Sequence, residues 1–178
     1  LSERKQNKKI DKRAPVIVGV GDLVDRSKED GLNPQELLAK ACEHAIQDSG
    51  IKELNKHIDY IGVVRFTVDF LTATNQSNFQ YSNFPRTLAN KLDVSTNHEV
   101  YAPMGGNSPQ VLLEDALVKI SAGETDCALL TGGEALQTMI AKLKAGKSLD
   151  WLDEPGGSPE MIGNNDIGFS DHEKLHGM

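Results

Sequence analysis

Aromatic residues make up only 5% of this 178-residue chain, and Trp151 is its one tryptophan. Cysteine is scarcer still, with Cys42 and Cys127 alone. Two thiols cannot build the disulfide framework of a small secreted domain, and they are too few for a cysteine zinc site. They read as two reduced thiols in an intracellular protein, and no metal site is expected. Positive charge is also short: 19 Lys and Arg stand against 26 Asp and Glu, for a net charge of −7. With a pI near 5.2, that balance argues against a general nucleic-acid binder, though not against a local site for a small anion. No apolar run approaches the ~20 residues of a membrane-spanning helix. Residues 1–13 include Glu3 and Asp11 and lack an apolar centre, which rules out a secretory signal and fits a mitochondrial presequence poorly. They read as a flexible polar arm, and the initial Leu1 reads as the mark of a processed or trimmed product. The expected setting is intracellular and cytoplasmic, with peroxisomal and mitochondrial settings left open.

What is present fits one domain, or one compact half of something larger. A globule of this length buries roughly 70% of its unfolded surface, enough for a core. The mean hydropathy of −0.40 is rather polar, partly because of the two chain ends. Pro15-Val-Ile-Val-Gly-Val-Gly21 is β-branched and predicts a buried strand. Its Gly19-Val-Gly21 invites a dinucleotide-binding reading, but that pattern needs a third glycine where Val24 stands. Asn33-Pro34 with Glu36 predicts a capped helix ended by Gly50, with Leu37, Leu38, Ala41, Ala45 and Ile46 inward. A second strand is predicted over 58–66 and a long loop over 67–83. A helix follows over 85–92, with Leu88, Ala89 and Leu92 inward, then a third strand over 97–102. Thr125–Gly133 predicts a fourth strand and Glu134–Ala145 a further helix. Residues 14–146 thus form the domain, and 147–178 a loop-rich tail with at most one short helix. The order β-α-β-α-β-α-β means an α/β fold with a mostly parallel or mixed sheet and helices on both faces.

The stretch with most chemical content is Tyr101-Ala-Pro-Met-Gly-Gly-Asn-Ser-Pro-Gln110. A strand enters a loop with two adjacent glycines and passes into the helix 109–122, with Ser108 expected as N-cap and Pro109 at the first helical position. Val111, Leu112, Leu113, Ala116, Leu117, Val118 and Ile120 make that helix apolar on more than one face, so it is expected to be buried between layers. Its N-terminus offers N–H groups and positive dipole charge beside a glycine-lined approach. His44, His57 and His98 read as surface or edge residues.

Gly105-Gly-Asn-Ser-Pro-Gln110, followed by Ile120-Ser-Ala-Gly-Glu-Thr-Asp-Cys-Ala-Leu-Leu-Thr-Gly-Gly-Glu134, resembles the N-terminal half of the thiolase superfamily. The likeness runs from about Ala14 to Lys144 and is nearest to the thiolase-like and sterol-carrier-thiolase-like branch. It implies a layered α-β-α-β-α sandwich, with the 109–122 helix as the buried central one. It also implies acyl-CoA chemistry of the acetyl-CoA acyltransferase type, in lipid metabolism. In that family a nucleophilic Cys stands at the N-terminus of the central helix, where dipole and N–H groups lower its pKa and stabilise an oxyanion. Counting back from Ile120–Gly123 places that position on Gly106, which has no side chain. Ser108 and Asn107 are the remaining candidates: Ser108 lacks an identifiable base, and Asn107 could donate a hydrogen bond to a thioester carbonyl. The family completes its site with a His motif and a second Cys from a second half. His172-Glu173 resembles that His segment but stands in a Gly/Asn-rich tail at the wrong place. Lys142, Lys144 and Lys147 are candidates for a coenzyme A phosphate, or simply a solvated helix face.

The expected substrate-binding loop is therefore Met104, Gly105, Gly106, Asn107 and Ser108. Its ligand is a coenzyme A thioester, with no bound cofactor and the catalytic residues unknown. Two functions stay open: an acyltransferase completed by further sequence, or a non-catalytic acyl-CoA-binding or assembly module on the same fold. The resemblance also implies a partner, either a second copy meeting through residues 97–102 or a second thiolase half.

Overall fold

The computed structural model describes residues 11–67, 81–163 and 175–176. Among them, α1 (Pro34–Asp48), β1 (Tyr60–Val64), α2 (Phe84–Leu92), β2 (His98–Ala102), α3 (Ser108–Ala122), β3 (Ala128–Thr131), α4 (Leu136–Lys144) and β4 (Glu160–Met161) follow in chain order. The strands form one sheet in the order β3-β1-β2-β4, and every pairing is parallel. The mostly parallel or mixed sheet expected from the sequence is, among the described residues, parallel throughout. Much of the predicted loop 67–83, and His172-Glu173, lie outside the described residues.

Local chemistry sets the helix ends. Asn33 Oδ1 accepts from the Glu36 N–H at 2.8 Å, and the Glu36 carboxylate accepts from the Asn33 N–H at 3.3 Å, a reciprocal cap on α1. Asn83 Oδ1 accepts from the Arg86 N–H at the start of α2. Gly123, at φ +79°, ends α3 in the left-handed conformation that glycine adopts without strain.

Period-two alternation sorts the side chains onto two faces. Ile61, Val63 and Tyr101 join Leu38, Phe84, Leu88, Leu129 and Trp151 in the larger core, under α1 and α2. Tyr60, Val100 and Ala102 face the other way, onto Leu112 and Ala116 of α3. Trp151 is 3% exposed, so the segment after residue 146 contributes to the main core. It also supplies β4, where loop structure was expected. Gly62 sits directly beneath α3, where a Cβ would lie 2.7 Å from Leu112 Cδ1.

Two expectations change. Residues 15–21 form no strand: Val16, Ile17 and Val20 are 77%, 78% and 67% exposed. β-branched composition favours a strand only where a neighbour completes the ladder, and this segment lies instead along α1. A Cβ on Gly19 would come within 2.2 Å of the Ala45 carbonyl, and one on Gly21 within 2.4 Å of the Ala41 carbonyl. The two glycines thus serve close approach to a helix. Among the described residues α3 is covered on one face: Leu112 and Ala116 are buried, whereas Leu117 and Val118 are exposed. In the segment 97–102, Val100 and Tyr101 pair with β4.

Asp59 ties the starts of β1 and β3 together. Its carboxylate accepts from the Thr125 hydroxyl and from the N–H groups of Asp126 and Cys127. Burial opposes its charge, but these hydrogen bonds outweigh burial and hold its pKa below the ordinary value. A lowered folded-state pKa adds stability above the unfolded pKa, near 4, that is lost as pH falls through the folded value. Asp59→Asn should therefore lower the urea midpoint at pH 7, and the gap from wild type should narrow at about pH 3. A gap independent of pH would refute this role. Gly62→Ala should destabilise by about 1–3 kcal/mol through overpacking against Leu112, measured by the same titration.

Candidate functional site

Parallel strands put all their C-terminal ends on one side of a sheet, where α/β proteins form clefts. Here the ends of β1, β2 and β3 converge with the N-terminus of α3 around a cleft of about 610 Å³. β1 contributes Val64 and Arg65, the loop after β2 contributes Met104, Gly105 and Gly106, and α3 contributes Pro109 and Leu112. The end of β3 supplies Leu130, Thr131, Gly132, Gly133 and Glu134. The volume lies within the ~300–1,000 Å³ range of small-molecule sites.

The loop is built by a short turn. Ser108 N–H donates to the Gly105 carbonyl at 3.1 Å, and the N–H groups of Gln110 and Val111 both donate to the Asn107 carbonyl. That turn brings Ser108 into the helix, so Asn107 is the N-cap and its side chain makes no cap hydrogen bond. The expected Ser108 cap is thus displaced by one residue. Ser108 is 1% exposed. Of the five anticipated binding residues, Met104, Gly105 and Gly106 line the cleft, while Asn107 and Ser108 are not part of its lining. A Cβ on Gly106 would meet nothing within 4 Å, so the missing side chain leaves open space.

Two charged residues border the cleft. The Arg65 guanidinium lies 4.8 Å from the centre of the Tyr101 ring, a cation–π contact that fixes its direction. The Arg65 N–H donates to the Ala102 carbonyl at 3.0 Å. The Glu134 carboxylate accepts from the N–H and the hydroxyl of Thr67, both at 2.7 Å. The sequence reading assigned neither residue to the site. A signal for the Glu134 side was present: apolar strands run into Gly-Gly twice, at Gly105-Gly106 and at Gly132-Gly133, and both pairs line the cleft. Arg65 carries no such mark, being an ordinary arginine at a strand end.

Neither cysteine lines the cleft. Cys42 is buried on α1, and burial pushes its pKa up to about 11. Cys127 precedes β3 at the end of the sheet away from the cleft, and burial together with Asp59 and Asp126 raises its pKa. Both are free and both are held as thiols, the unreactive form. His57 and His98 also lie at strand starts, opposite the cleft, and His44 Nδ1 bonds the Asp22 carbonyl at 2.9 Å. Lys142 and Lys144 occupy the last turn of α4, and Lys147 pairs with Asp30 at 2.8 Å. Among the described residues no group of three or more His, Cys, Asp and Glu side chains is placed to hold a metal ion.

The parallel sheet, the helices on both faces and the strand-end cleft define an α/β protein with its candidate site at the strand ends. No family model matches the sequence, and no curated protein matches it. Among solved structures, the chain is similar to a monomeric SCP2-thiolase-like protein type 1 from Mycobacterium smegmatis, at 31% identity and a TM-score of 0.52. The likeness covers 68% of this chain and 24% of that protein, so the chain matches about a quarter of the solved relative's length. The fold is thiolase-like, as the Gly105–Glu134 resemblance implied. Among the described residues no helix is long and apolar enough to cross a membrane.

Since Gly106 faces open space, Gly106→Ala should change stability by no more than about 0.5 kcal/mol. A larger loss in urea unfolding would show that the glycine is required by the fold.

Proposed function

We propose that the cleft between the β2–α3 loop and the end of β3 receives an acyl-CoA thioester, and that this chain binds and orients the thioester without forming an acyl-enzyme. The observation that carries the proposal is the empty position at Gly106. It stands at the N-terminus of α3, where helix N–H groups and dipole favour an oxyanion, yet it offers no nucleophile. Val64, Met104, Leu112 and Leu130 supply apolar walls for an acyl chain, and Arg65 supplies positive charge at the rim. The raised pKa values of both thiols agree with a binding role.

A second reading is favoured by the share of the solved relative that is matched. With 24% of that protein covered, a second thiolase half could complete an acyltransferase of the acetyl-CoA type, and its nucleophile would then come from outside residues 1–178. Leu117 and Val118 of α3 are the surface such a half would cover.

Calorimetric titration with acetyl-CoA tests the site. Gly106→Trp should fill the open space and abolish binding, whereas Lys144→Ala should leave it unchanged. Equal affinity in Gly106→Trp and wild type would overturn the assignment. Incubation with acetyl-CoA followed by intact-mass spectrometry should show no added acetyl group; a covalent adduct would favour the enzyme reading.

A further inference from the structure

Glu134 lines the cleft on its β3 side, across β1 from the Met104–Gly106 loop. Its neighbours along the chain hold its main chain in place. Gly133 lies close to Leu38, where a Cβ would come within 3.1 Å of Leu38 Cδ1, and Ala135 is 4% exposed. One carboxylate oxygen, Oε1, accepts from both the N–H and the hydroxyl of Thr67, each at 2.7 Å. Thr67 is itself anchored by the residue before it. The Phe66 ring is buried, 4.9 Å from the Phe84 ring and 5.7 Å from the Tyr81 ring.

The second oxygen, Oε2, accepts from no group among the described residues. An ionised carboxylate can only accept hydrogen bonds. In the empty cleft water meets that need. A ligand that displaces the water must bring a donor of its own, or it leaves a carboxylate oxygen dry beside the apolar walls of Val64, Leu112 and Leu130.

We propose that Glu134 is a specificity-determining residue, and that the thioester selected by the cleft carries a hydroxyl at C3 of its acyl chain. The inference rests on the acyl-CoA reading of the cleft, with the thioester carbonyl at the N-terminus of α3. β2 and β3 flank β1, and two strand spacings make about 10 Å. A hydrogen bond of about 3 Å at each wall leaves about 4 Å between the two ligand oxygens. A hydroxyl at C3 reaches that far from the carbonyl oxygen. A plain acyl chain would leave Oε2 without a donor. A 3-keto group would turn its own lone pairs toward the carboxylate and be disfavoured further. Thr67 acts as the positioning residue, because it holds Oε1 and so directs Oε2.

Calorimetric titration with three coenzyme A thioesters of equal chain length tests this: 3-hydroxybutyryl-CoA, with its enantiomers taken separately, butyryl-CoA and acetoacetyl-CoA. Their coenzyme A parts are identical, so ratios of affinity report on the acyl group alone. Wild type should bind the better 3-hydroxybutyryl enantiomer about tenfold more tightly than butyryl-CoA, with acetoacetyl-CoA weakest. Glu134→Gln keeps the shape but adds an N–H donor, so acetoacetyl-CoA should gain about tenfold relative to 3-hydroxybutyryl-CoA. Thr67→Val should shrink the hydroxyl preference while leaving butyryl-CoA affinity unchanged. Wild type that binds butyryl-CoA and 3-hydroxybutyryl-CoA equally would overturn this inference and leave the acyl-CoA reading standing, as would wild-type ratios in Glu134→Gln. Wild type that binds none of the three would overturn both.

Discussion

The closeness of α3 to β1 governs the rest of this structure. β1 is the central strand, paired on one side with β2 and on the other with β3. Its middle residue on the α3 side is Gly62, and Leu112 sits where a side chain at 62 would be. That missing side chain lets the helix lie low on the sheet, with Ala116 one turn further along as its second small contact. Because α3 lies low, its N-terminus reaches the level of the strand ends, and the Met104–Gly106 loop lines the same cleft as Gly132 and Gly133. A helix lifted by one methyl group would carry Pro109 and Gly106 away from the opposite wall.

Signals carried within a few residues were legible in the sequence. Asn33 with Glu36, and Gly123 after α3, cap their helices through neighbours along the chain, so composition and spacing suffice. Inward positions followed from periodicity, as Leu88, Ala89 and Leu92 show. What was not legible depends on partners distant in sequence. The run Val16–Val20 has strand composition, but no local feature states whether a ladder neighbour is there. Trp151 sits in a stretch of loop composition and is nonetheless core, because its cover comes from elements far away in sequence. The place of Ser108 was missed by one residue, since a single hydrogen bond to the Gly105 carbonyl decides whether it precedes the helix or begins it.

The site divides in the same way. Its glycine half was visible, because a strand that runs into adjacent glycines is a sequence feature. Its charged half was not, because Arg65 and Glu134 acquire meaning only when β1 and β3 become neighbours. The tyrosine ring that orients Arg65 belongs to a third strand. One feature of the chemistry was nevertheless set by sequence alone: the residue at 106 has no side chain, and no fold can supply one. The structure adds that the space beside it is open.

The two outer surfaces of the molecule are finished differently, and the difference bears on assembly. On the β2 side, a short strap with hydrogen bonds to Thr87 and Asn83 and an ionic contact at Glu160 closes the sheet edge. On the α3 side, Leu117 and Val118 are left uncovered. Main-chain edges attract any strand, whereas a helix face attracts only a surface of matching shape. An open edge therefore carries the greater risk of indiscriminate pairing, and on the β2 side Glu160 and Met161 cover it. The helix face can stay open at lower risk, because selectivity there comes from side-chain packing.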